Sequence, residues 1–127
     1  MNTIGFAVPT LKGEAPSGNG IKHLFLVSPI MGYETNLSFD NINRELSVGR
    51  RTDCDINLPY DTISRLHAKI RIHEGLCYVS DLGSRNKTYV NNRVIDLECK
   101  LNSGDTIMFY DSRYQLVVSM KYTCSDN

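Results

Sequence analysis

Three short stretches of this 127-residue chain hold most of the side chains that could do chemistry together. VGRRTDCD carries Gly49, Arg50 and Arg51. DTISRLHAK carries Thr62, Ile63, Ser64, Arg65 and His67. DLGSRNKT carries Asp81, Ser84, Arg85, Asn86, Lys87 and Thr88. Each sets a guanidinium or ammonium group beside a hydroxyl or an amide. Gathered on one surface, such groups suit a phosphate. Arginine offers a planar fork that pairs two phosphate oxygens at once. A serine hydroxyl donates to a third, and an asparagine amide has the donor and the acceptor needed to hold a peptide main chain. Gly49 allows close backbone approach just ahead of Arg50.

The same residues admit plainer accounts. A single arginine on a loop is ordinarily a solvated side chain, and Asp53, Asp55, Asp61 and Asp81 keep the region from being uniformly positive. Ser64, His67 and Asp81 could be written as a hydrolytic triad. Ser and His three residues apart on a loop entering a strand lack the setting of a nucleophile elbow, however, and no oxyanion donors are identified. A third account is a protein-interaction or self-association domain that needs no phosphate.

For the three stretches to meet, the chain between them must be built of short strands. The pattern predicts this. Ala68, Ile70 and Ile72 alternate with Lys69, Arg71 and His73, Glu74-Gly75 supplies a turn, and LCYVSD returns. Asn91-Asn92, between Thr88–Val90 and Arg93–Ile95, reads as a two-residue hairpin turn, because Asn tolerates positive φ. IKHLFLV and YETNLSF form a candidate pair, and TIMFY follows the Ser103-Gly104 turn. Tyr114, Leu116, Val118, Met120 and Tyr122 alternate along one last strand, with Tyr110, Tyr114 and Tyr122 expected in the core. No amphipathic helix of useful length is present. About ten or eleven short strands with turns between them predict an all-β, antiparallel sandwich or barrel with its binding loops at one end.

The bulk numbers narrow the function. Lys plus Arg and Asp plus Glu both total 14, a neutral balance that argues against a general nucleic-acid binder. No run is long and apolar enough to span a bilayer, and no signal peptide follows Met1. An intracellular, reducing setting, nuclear or cytoplasmic, is expected. Cys54, Cys77, Cys99 and Cys124 are scattered without a CxxC pair, so they are expected to stay reduced and to hold no metal, with Cys77 a small core residue.

Taken together, Gly49-Arg50, Ser64-x-x-His67 and Asp81-Leu82-x-Ser84-x-Asn86-x-Thr88-x-Val90-Asn91, in that order and spacing, resemble the forkhead-associated (FHA) domain, as does LNSGDTIMF further on. The resemblance covers about residues 22 to 122. It implies a β-sandwich that binds phosphothreonine peptides of partner proteins, in kinase signalling, without catalysis or cofactor. By that resemblance Arg50 holds the phosphate, Ser64 donates to it, and Arg65 and Arg85 assist. Asn86 pairs with the ligand main chain, and Lys87 adds charge. Gly49, His67 and Thr88 support the site, and Thr62 and Ile63 lie in the loop that selects neighbouring residues, with a small or apolar preference. The family usually has Gly where this chain has Lys87, a departure that costs on the order of 1 kcal/mol if positive φ is kept. The expected layout is a flexible tail over 1–20, the domain over 21–122 and a short tail over 123–127, monomeric by default, with no membrane or direct nucleic-acid contact.

Overall fold

A computed structural model describes residues 8–13, 16 and 20–125. Among these residues there are twelve strands and no helix. One sheet has the order β1 (Thr10–Leu11), β5 (Ile56–Asn57), β4 (Arg44–Gly49), β6 (Ala68–His73), β7 (Leu76–Asp81), β10 (Cys99–Leu101). The other runs β3 (Tyr33–Phe39), β2 (Lys22–Ser28), β12 (Leu116–Cys124), β11 (Thr106–Tyr110), β8 (Tyr89–Val90), β9 (Arg93–Val94). The two face each other as a sandwich.

Alternation decides which side of each strand is inside. Along β6, Ala68, Ile70 and Ile72 are buried; Lys69 and Arg71 are half-buried and His73 is exposed, as the pattern predicts. Leu46 and Val48 of β4 and Cys77 and Val79 of β7 join this layer. Leu24, Leu26, Ile107, Phe109, Val118 and Met120 meet it from the opposite sheet. Burying each large apolar side chain contributes roughly 1.5–3 kcal/mol.

The two hairpin turns have the chemistry they require. Glu74 and Gly75 lie at φ 49° and 80°, and Asn91 and Asn92 at 50° and 69°. Positive φ at both central positions matches the right-handed twist of the flanking strands.

The structure departs from the expected pattern in four places. Tyr114 is neither strand nor core: it sits in the β11–β12 turn at φ 60° and is 77% exposed. The reason is a bulge, since Phe109 pairs with Val118 but Tyr110 with Leu116, so Val117 is an extra residue and the alternation breaks before it reaches Tyr114. The Val117 carbonyl accepts from the buried hydroxyl of Ser28 at 2.6 Å. The second departure is in the pairing of β4 and β5, which is parallel, whereas every other pair among the described residues is antiparallel. Third, the segment read as an N-terminal tail contributes β1, whose Thr10 and Leu11 pair with Asn57 and Ile56; much of the rest of residues 1–20 lies outside the described residues. Finally, β12 continues to Cys124, past the expected limit at residue 122.

Candidate functional site

Three connections leave the strands at one end of the sandwich: residues 50–55 after β4, 58–67 before β6, and 82–88 after β7. The first two are locked together at Gly49. A Cβ on this residue would stand 2.3 Å from the carbonyl oxygen of Arg65 and 3.0 Å from Cys54 Sγ, so only glycine fits. The Arg65 carbonyl accepts from Arg51 N at 3.2 Å, and Arg50 N donates to the Ser64 carbonyl at 3.0 Å.

Asn57 was not singled out by the sequence reading. Its Nδ2 lies 3.2, 3.0 and 3.0 Å from the carbonyl oxygens of Gly49, Arg50 and Arg51, and so gathers the first loop around one amide. The pairing of β4 with β5 brings it there, and one Asn in a two-residue strand carries no local signal of such a role.

His67 couples the second loop to the third. The ring is fully buried and meets Phe109 edge-on at 5.0 Å between centroids. Nδ1 accepts from Ser64 N at 3.0 Å, which leaves Nε2 to donate to the Lys87 carbonyl at 2.8 Å. Burial holds the imidazole below its ordinary range, against the opposing effects of the Lys87 carbonyl and of Asp81. The neutral ring therefore persists, one nitrogen accepting and the other donating.

Asp81 organises the third loop from beneath. Its carboxylate accepts from Ser84 N at 2.9 Å, from the Ser84 hydroxyl, and from Thr88 Oγ1 at 2.8 Å. Burial would raise this carboxyl; the bonds from Ser84 and Thr88 outweigh it and hold the group ionised below the usual range. Thr88 is fully buried. Lys87 sits at φ 68°, the left-handed conformation for which glycine is suited.

The outward residues of these loops line a shallow depression of about 200 Å³, formed by Arg50, Asp61, Thr62, Ser64, Arg65 and Arg85. Arg50 donates from Nε to the Ile63 carbonyl at 3.0 Å. The Ser64 hydroxyl oxygen accepts from Arg85 N at 2.9 Å, which leaves its proton for a ligand. Asn86 donates from Nδ2 to the Thr62 carbonyl at 3.0 Å, so its Oδ1 remains as an acceptor. Among the described residues, Arg50, Arg65 and Arg85 have no carboxylate partner, unlike Arg44, Arg51 and Arg71. Three arginines and one serine hydroxyl thus share one depression.

Ile63 also lines the depression, with its side chain buried in the core and its carbonyl bonded to Arg50. Asn86 and Lys87 do not line it. Lys87 is exposed and tied in through its main chain. Ser64, His67 and Asp81 form no relay: both ring nitrogens of His67 are taken by main-chain groups, and Asp81 is engaged with Ser84 and Thr88.

A second hollow, of about 400 Å³, adjoins the first. It shares Asp61 and Thr62 with it and is lined on the apolar side by Ile30, Met31, Pro59, Tyr60 and Val117. These come from loops far apart in the chain, and no local pattern announces them.

A family model for the FHA domain matches residues 46–110, from β4 through β11, and so takes in all three loops. The proliferation marker protein Ki-67 of Homo sapiens is 37% identical over 67 residues, which cover 53% of this chain and 2% of that protein. The oxoglutarate dehydrogenase inhibitor of Corynebacterium efficiens is 34% identical over 109 residues, 83% of this chain and 75% of its own length. The chain thus spans a small fraction of the first relative and three quarters of the second. A solved structure from work on phosphothreonine-dependent FHA domain interactions superposes with a TM-score of 0.59 at 25% identity, over 82% of this chain and 95% of the other.

Proposed function

Since the chain belongs to the FHA domain family, we propose that it is a phosphothreonine-dependent interaction module that binds phosphorylated segments of partner proteins in kinase signalling. One observation carries the assignment: Arg50, Arg65 and Arg85 line one depression with Ser64, and among the described residues none of the three has a carboxylate partner. A phosphate dianion supplies the missing charge, and bidentate arginine contacts give it orientation.

The roles follow from what each group has left to offer. Arg50 presents its two terminal nitrogens, since Nε is occupied by Ile63. Ser64 donates its hydroxyl proton. Asn86 accepts a ligand main-chain N–H at Oδ1. Lys87, Arg65 and Arg85 add charge around the phosphate. Gly49, His67 and Thr88 keep the loops in place. Thr62 separates the phosphate depression from the apolar hollow, so the preferred partner carries an apolar side chain beside its phosphothreonine.

This reading assigns no catalysis. Ser64 has no base at its hydroxyl, because His67 is committed to main-chain bonds. The family assignment points to a binding module, and one relative is named as an inhibitor of an enzyme. Titration with an oriented phosphothreonine peptide library, with phosphoserine and unphosphorylated controls, tests the assignment. Selection of phosphothreonine peptides with an apolar neighbour is the expected result; equal binding of unphosphorylated peptides would overturn it.

A further inference from the structure

Lys22 is the largest fully buried side chain among the described residues and lies at the pole where β2 begins, apart from the three binding loops. Its ammonium donates to Asn41 Oδ1 at 2.5 Å and lies 3.6 Å from Cys124 Sγ. Among the described residues it forms no ion pair with a carboxylate. An ammonium withdrawn from water is costly unless negative charge or hydrogen bonds compensate it. Among the described residues, the neighbouring groups able to supply negative charge are thiols.

The strand register builds this arrangement. Cys124 of β12 is the direct cross-strand partner of Lys22, so both face the interior. Cys77 of β7 lies beneath, close enough to feel the Lys22 charge, and the Tyr122 hydroxyl interacts with both sulfurs. Cys77, Tyr122 and Cys124 line a depression of about 240 Å³ together with Leu76 and Lys100. Cys77 is buried, whereas Cys124 is only half-buried and can be reached from this side.

We propose that Cys124 is a reactive thiol, activated by the adjacent Lys22 ammonium, and that its reagent is a small hydroperoxide entering through this depression. An ammonium beside a sulfur favours the thiolate, and the thiolate is the nucleophile. In the step, Cys124 sulfur attacks one oxygen of hydrogen peroxide. The S–O bond forms as the O–O bond breaks; the sulfur is oxidised by two electrons to the sulfenic state. The peroxide is reduced to hydroxide, which takes up the proton released by the thiol and leaves as water. The Lys22 ammonium then faces the sulfenate. The remaining cysteines are less suited: burial pushes Cys77 up to about 12, and burial likewise raises Cys54 and, aided by Asp105, Cys99. Nothing in this site depends on the phosphopeptide reading.

The experiment treats the full chain with hydrogen peroxide, traps sulfenic acid with dimedone, and quantifies each cysteine by mass spectrometry. Cys99 is the internal control, since it is also half-buried but has the Asp105 carboxylate as its charged neighbour. Cys124 should be trapped at least about tenfold faster than Cys99. Lys22→Met should slow Cys124 by about the same factor, read alongside a melting curve that shows the fold intact. Equal trapping of Cys99 and Cys124 in the unmodified protein would overturn the proposal, and that comparison stands even where the variant does not fold. Unchanged trapping of Cys124 in a folded Lys22→Met protein would overturn it as well.

Discussion

Gly49 and Arg65 are in contact through main chain alone: a Cβ added to the first would lie 2.3 Å from the carbonyl oxygen of the second. The carbon of that carbonyl is only 2.9 Å away, so the obstacle is backbone and not a side chain able to swing aside. Gly49→Ala must therefore push the first two loops apart. Overpacking of this kind costs about 1–3 kcal/mol, and urea denaturation should show it as a lower midpoint, with phosphopeptide affinity falling too. An unchanged midpoint would mean that the contact is not tight in solution.

Arg50 lines the depression and lies outside the core, so its loss separates binding from folding. Truncating one partner of a hydrogen-bonded charge pair costs roughly 2–5 kcal/mol, about thirtyfold to several thousandfold in Kd. Arg50→Ala should nearly abolish phosphothreonine-peptide binding in calorimetry while leaving the melting temperature close to that of the parent. Superimposable titrations of variant and parent would refute its role.

Lys87 tests backbone strain apart from charge. At φ 68° a lysine is held where glycine is at ease, at a cost of about 1 kcal/mol. Lys87→Gly should raise the melting temperature by about 3–5 °C and weaken peptide binding slightly through the lost ammonium. The bond from His67 to the residue-87 carbonyl is main chain and is retained. A variant that melts at or below the parent temperature would dismiss the strain.

His67 predicts a pH dependence with a definite sign. Its folded pKa is depressed by burial below the ordinary value of about 6.5. Below about 6.5 the unfolded chain takes up a proton that the folded ring refuses. The stabilisation is thus complete above that pH and is lost progressively as pH falls from there toward the folded pKa, with a slope of up to about 1.4 kcal/mol per pH unit. Denaturation at several pH values should show this slope in the parent and lose it in His67→Gln, which would be less stable throughout. A parent curve with no such slope between neutral and mildly acid pH would contradict the assignment.

Much of the frame was legible because it rests on local period and turn chemistry. The alternation of Ala68–His73 and the Asn91-Asn92 turn declare themselves within a few residues. The grouping of Arg50, Ser64 and Arg85 was legible as a motif in register, since each loop carries its own small signature. What stayed hidden depends on distant pairing. Asn57 becomes the anchor of the first loop only through the short parallel pairing of β4 and β5. Tyr114 has a core-like spacing, but the bulge at Val117 shifts the phase ahead of it. β1 is two residues long and is held by β5, more than forty positions away. The hollow behind Thr62 is assembled from three separate loops.

Asn57, His67 and Asp81 secure the three loops from the inner side, through bonds to main-chain groups and to the buried Ser84 and Thr88 hydroxyls. Scaffold and reading head are consequently separable. Positions 61, 62 and 87 are at liberty to drift, and with them the choice of partner, while the frame stays as it is. Divergence of specificity in this lineage should therefore collect at those three places and spare the three anchors.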